Sequence, residues 1–132
     1  MERLKERLAT ARRALERLQE LAGLSRPSRV ERDAAIQRFE YTFEACTRAV
    51  QRYLLLVEGV SSGSPKSSVR ASREVGILSD EQAVIGLEMA DDRNLTVHTY
   101  NEEVAERIYR SLPRYVELVG RWLAAMEGRL ER

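Results

Sequence analysis

SRVERDAAIQRFEYTFEACTRAVQRYLLLVEG, residues 28–59, decides the fold class. Ser28 and Glu31 have the spacing of a capping box, in which a serine side chain takes one orphan backbone N–H and a glutamate returns to the serine's own. Ile36, Phe39, Phe43, Val50, Tyr53 and Val57 then follow at helical spacing, and nothing interrupts them before Gly59. A strand would need apolar and polar residues to alternate, and they do not. The stretch predicts one long amphipathic helix.

The same reading extends in both directions. Upstream, Leu4, Leu8, Ala11, Leu15, Leu18 and Ala22 keep to one helical stripe, with Gly23 as the expected stop. Downstream, SSGSPKSS (61–68) is rich in turn residues, and Ser64 with Pro65 reads as an N-cap and first helical position, opening a short helix to about Gly76. Ser79 and Gln82 form another capping box before Ala83, Val84, Leu87 and Ala90. Thr99 and Glu102 have the same spacing ahead of a last stripe, Val104, Ile108, Leu112, Tyr115, Val119, Trp122 and Met126, with a kink expected near Tyr109 because Pro113 removes a backbone donor. Long amphipathic helices joined by short connections pack antiparallel. The expectation is therefore an all-α, up-and-down four-helix bundle with one short extra helix, residues 1–132 forming a single domain. Tyr41 and Leu54 to Leu56 on the second helix, and Leu118 and Leu123 on the last, lie outside the main stripes. They either widen the core or meet a second copy in a homodimer.

Composition excludes more than it identifies. The 132 residues carry a formal net charge of +1 with both signs mixed throughout, so there is no domain-wide basic excess of the kind that coats nucleic acid, and any phosphate contact must be local. The single cysteine, Cys46, sits in an apolar helical pattern, so an intrachain disulfide is impossible and a buried hydrophobe is the simplest reading. MERLKERLATARRALERL (1–18) is charged throughout, and the longest apolar run, around Leu54 to Val57, is too short to span a bilayer. No membrane contact is expected, and the cytoplasm is the expected compartment.

The candidate chemistry lies in DDRNLTVHTYNEE (91–103), where polar residues cluster between two predicted helices around the one histidine, His98. A lone histidine is usually just a hydrogen-bonded residue. With Thr99 as the cap, however, His98 immediately precedes a helix N-terminus, where free N–H groups attract a phosphate and oppose an imidazolium until an anion arrives. Arg93 reads either as a cation complementing the preceding helix C-terminus or as a guanidinium curling back onto that phosphate. Asp91 and Asp92 have no loop spacing that suggests metal ligation, and Glu102 and Glu103 suit the first turn of a helix. Neither a metal nor a cofactor is expected.

Arg93-Asn94-Leu95-Thr96-Val97-His98-Thr99-Tyr100 resembles the signature of HEPN domains: arginine, four residues, histidine, any residue, tyrosine. All three positions match, and the longer run RNLTVHTYNEEVAERIY (93–109) is similar to the branch of nucleotidyltransferase substrate-binding proteins and of HEPN toxins paired with minimal nucleotidyltransferases. The resemblance implies a dimeric bundle and a nucleotidyltransferase partner protein. It assigns catalysis to Arg93 and His98 and nucleotidylation to Tyr100, with Asn94, Thr99 and Asn101 in support.

Two functions then stand side by side. One is a metal-independent RNase toxin, in which a histidine exchanges protons with the RNA 2'-hydroxyl and the leaving oxygen while a guanidinium stabilises the charged phosphate. Since one histidine does not readily perform both proton transfers, two-fold pairing would supply a second His98 to a shared cleft. The other is a noncatalytic subunit that holds a nucleotide or presents a substrate to the nucleotidyltransferase. A purely structural helical dimer is a third reading, which the signature disfavours.

Overall fold

A computed structural model describes residues 1–131. Five α-helices follow one another: α1 (Glu2–Gln19), α2 (Arg29–Tyr53), α3 (Pro65–Glu74), α4 (Asp80–Leu95) and α5 (Glu102–Leu130). A π-helical turn, Leu54–Glu58, extends α2, and a 3-10 turn, Thr96–His98, links α4 to α5. The fold is the expected all-helical bundle. Thr42 of α2 donates to the Ala14 carbonyl at 3.2 Å and Arg12 of α1 meets Glu127 of α5 at 2.7 Å, so α1 runs antiparallel to both. Glu88 to Arg114 at 2.6 Å sets α4 antiparallel to α5. The short α3 packs on α4 between the second and third long helices, with Lys66 on Asp91 at 2.6 Å.

The capping boxes at Ser28–Glu31 and Ser79–Gln82 are both formed, and Ser64 caps α3 with Pro65 in its first turn. Gly23 and Gly59 have φ of 85° and 70°, the left-handed conformation that lets the chain leave a helix without a Cβ clash. α5 runs helically through Pro113. The Tyr109 hydroxyl, one turn earlier, donates to the Leu21 carbonyl at 2.7 Å and accepts from the Leu24 N–H at 3.0 Å, fastening the α1–α2 connection to α5.

The apolar faces divide between the two readings. Leu118 and Leu123 are 2% and 0% exposed, so the wide face of α5 is buried within this one chain. Tyr41, Leu55 and Leu56 do stay exposed. Val57, expected on the α2 stripe, is also exposed, because the wider π turn rotates it away from the core and turns Leu54 inward instead. Cys46 is completely buried, and burial pushes its thiol up to about 12, leaving it without thiolate chemistry at neutral pH.

At the end of α2 the Tyr53 hydroxyl donates to Glu58 at 2.6 Å and Arg129 donates to the same carboxylate at 2.8 Å. The Tyr53 bond, with Arg129 behind it and burial opposing, holds the Glu58 carboxyl below its ordinary value of about 4.5. Since the folded value is the lower one, this stabilisation is complete above the ordinary value and disappears as pH falls through the folded one. Glu58→Gln is expected to melt lower than the parent near neutrality, yet to lose less melting temperature than the parent between about pH 5 and pH 3. Parallel melting curves across that range would show that the carboxylate contributes nothing.

Candidate functional site

The connection between α4 and α5 is built from its two flanking helices. Asp92, in the last turns of α4, is 4% exposed and accepts from the Tyr115 hydroxyl at 2.6 Å and from Arg107 at 3.0 Å. Burial first, and then this carboxylate, push the Tyr115 phenol well above its ordinary range, so the hydroxyl stays a donor. Asp91 is held by Lys66, so both acids beside Arg93 are committed to ion pairs rather than to a shared ligand.

Arg32 fastens the other side. Its side chain is 6% exposed, yet the guanidinium reaches Glu102 at 2.7 Å, and Glu106 and Asp33 at 3.1 Å. The Glu102 bond leads the interactions that raise the Arg32 pKa, and in return Arg32 holds the Glu102 carboxyl below its usual range. This overturns the expected Thr99–Glu102 capping box. Glu102 turns to Arg32, the Thr99 hydroxyl donates back to the Thr96 carbonyl at 3.0 Å, and Asn101 is the N-cap, its Oδ1 accepting from the N–H groups of Glu103 at 2.9 Å and Val104 at 3.4 Å. Asparagine is among the best N-caps, so the local chemistry is sound. Two donors that a phosphate was expected to find are thus occupied, and two carboxylates, Glu102 and Glu103, share that first turn.

His98 consequently ends a 3-10 turn ahead of the helix rather than abutting its N-terminus, and Tyr100 precedes the cap instead of lying in the first turn of α5. The structure brings these two together. His98 Nδ1 lies 3.4 Å from the Tyr100 hydroxyl, at the long end of hydrogen-bond distance, and the rings meet edge-on with centroids 5.9 Å apart. Tyr100 is 82% exposed. Arg93 is half-buried within α4, where Thr96 donates to its carbonyl at 2.8 Å, and no hydrogen bond carries its guanidinium to His98 or Tyr100. Asn94 is exposed. A shallow groove runs from Thr99 along α2, and its charged lining residues are Asp33 and Glu40, which repel a phosphate chain on that side.

Over residues 6–128 the sequence matches the family described as Nucleotidyltransferase substrate binding protein like. The chain belongs to this family. A crystal structure of a Thermus thermophilus protein is similar to it at 56% identity and a TM-score of 0.87, covering 88% of this chain and 98% of that one. A second, HI0074 from Haemophilus influenzae, whose structure is described as revealing the fold of a substrate binding domain of a nucleotidyltransferase, matches with a TM-score of 0.72. It covers 91% of this chain and 98% of its own, and at 21% identity it supports the fold alone. No curated protein matches the sequence.

For this family member the residues that sequence reasoning missed are those that hold the connection in place. Arg32 falls four residues before Ile36 and seven before Phe39, on the apolar stripe itself. A cation in that position must find carboxylates, and only the fold reveals that two of them, Glu102 and Glu106, come from α5. Tyr115 counted as a core residue, without indication that its hydroxyl would hold Asp92. Among the described residues no cluster of three or more metal-ligating side chains forms, and no helix is long and apolar enough to cross a membrane.

Proposed function

We propose that this protein is the HEPN component of a two-protein system in the cytoplasm: a homodimer that cleaves RNA without a metal and whose Tyr100 is modified by a partner nucleotidyltransferase. The observation that carries this reading is the pairing of an 82% exposed Tyr100 with His98 on one connection, beside an Arg93 that takes part in no ion pair among the described residues. In cleavage, one His98 takes the proton of the RNA 2'-hydroxyl as that oxygen attacks the adjacent phosphorus, and His98 of the partner subunit protonates the departing 5'-oxygen. The product is a cyclic phosphate. Arg93 stabilises the charge that gathers on the nonbridging oxygens. The exposed Tyr41 gives the middle of α2 an apolar patch suited to a second copy.

In modification, the Tyr100 oxygen attacks the α-phosphorus of a nucleoside triphosphate, a new P–O bond forms, pyrophosphate leaves, and the phenolic proton passes to a base. His98 Nδ1, 3.4 Å away, is placed to receive it. The partner enzyme supplies the magnesium and its carboxylates. Incubation with partner, ATP and magnesium is expected to add one nucleotide, and tandem mass spectrometry to find it on Tyr100. A modification that persists unchanged in Tyr100→Phe would overturn the assignment.

The second reading, a noncatalytic substrate-binding subunit, draws support from the family description. The two separate on one result, because only the RNase leaves cyclic phosphate ends in the presence of a chelator.

A further inference from the structure

At the end of the bundle opposite Arg93, His98 and Tyr100, a pocket of about 350 Å³ opens between the first half of α1, the last turns of α2 and the chain that follows the π turn. Its polar lining is Arg7, Arg48, Gln51, Arg52, Ser61 and Ser62, so three arginines line it with no carboxylate among the lining residues. Arg48 is partly committed to Glu44, at 2.7 Å on the adjoining surface. Arg7 and Arg52 are half-buried, and neither takes part in an ion pair among the described residues.

Arg7 is unusual in a further respect. Its Nε is buried without a hydrogen-bond partner, the one such side-chain atom among the described residues. A buried donor left unpaired is destabilising, and no acceptor among the described residues offsets the charge of this guanidinium. Guanidinium forks with neighbouring hydroxyl and amide donors are the chemistry that holds phosphoryl oxygens. The space exceeds what a single phosphate fills, and three positive groups match several negative ones. No aromatic ring lines the pocket, so nothing is placed to stack on a base.

We propose that this pocket binds a polyphosphate group, inorganic pyrophosphate or the phosphate tail of a nucleotide, without reading the base. The proposal is independent of the role given to Arg93, His98 and Tyr100. The experiment is calorimetric titration of the full chain with sodium pyrophosphate and with ATP at physiological ionic strength, using the parent, Arg7→Met, Arg52→Met and Arg93→Ala. Pyrophosphate and ATP are expected to bind with similar affinity. Arg7→Met and Arg52→Met should each weaken both by about tenfold or more, as for loss of a charged hydrogen-bond donor, while Arg93→Ala changes neither. Saturating pyrophosphate should raise the melting temperature of the parent. Unliganded Arg7→Met should melt no lower than the parent, since it removes an unpaired buried donor and keeps an unbranched apolar stem as far as that position. No binding at millimolar pyrophosphate, binding of ATP alone, equal weakening by Arg93→Ala, undiminished binding in Arg52→Met, or a lower melting temperature for unliganded Arg7→Met would each overturn the proposal.

Discussion

Replacing His98 with alanine is expected to lower RNA cleavage by about 10²- to 10⁴-fold in reactions containing excess chelator, the range typical for loss of a positioned proton-transfer group. Arg93→Ala should lower it by about 10²- to 10³-fold, by analogy with removal of one oxyanion-hole donor. The structure makes these variants informative because neither residue supports the fold. Among the described residues, His98 is exposed with one long hydrogen-bond contact, to Tyr100, and Arg93 takes part in no ion pair. Melting temperature and mass in solution should therefore stay near those of the parent while cleavage falls. Cleavage by either variant at the parental rate, or a parent that leaves no cyclic phosphate ends on RNA from its own host, would hand the function to the substrate-binding reading.

Trp122→Ala is expected to remove about 3–5 kcal/mol of stability, the range for deleting a large aromatic ring from a core. Its side chain is completely buried in α5, and its indole N–H donates to the Ser72 hydroxyl at 3.1 Å, which in turn donates to the Ser68 carbonyl at 2.7 Å. The ring thus fills the interior and joins α5 to α3. Against a typical total of about 5–15 kcal/mol, the loss takes a large share of what holds the domain folded. Trp122→Phe, which keeps much of the volume and loses the hydrogen bond, should fall between the parent and the alanine variant. Urea unfolding followed by far-ultraviolet circular dichroism measures both, since the chain has one tryptophan and fluorescence disappears with it. A loss below about 1 kcal/mol would mean that α3 and α5 close over the gap.

Helices were legible where one local signal decided them. Ser28 with Glu31 and Ser79 with Gln82 cap as read, and the stripe from Leu4 to Leu18 is buried as read. The reading failed where two local solutions competed and a distant residue chose between them. Thr99 and Asn101 are both fair caps, and the choice turned on Arg32, some seventy residues away in sequence, which claims the glutamate that a Thr99 box requires. The π turn was equally invisible, because a helix that widens by one residue leaves the composition of the stripe unchanged and alters only which of Leu54 and Val57 turns inward. Of the site, residue types and their common connection were readable from Arg93, His98 and Tyr100. The contact between His98 and Tyr100 depends on a 3-10 turn with no signature of its own.

α2 and α5 are pinned together at both extremities, by Arg32 on Glu102 and Glu106 at one end and by Arg129 on Glu58 at the other. Between α4 and α5, by contrast, the backbone from Thr96 to Asn101 makes only a 3-10 turn and the cap. Amide hydrogens in the long helices are therefore expected to exchange through cooperative opening of the bundle, and those in this short span through a local excursion of lower free energy. A bulky group on Tyr100 can then be accommodated by rearranging a handful of peptide units, and the core registers neither its arrival nor its removal. The proposed modification would then switch a surface without drawing on the stability of the protein that bears it.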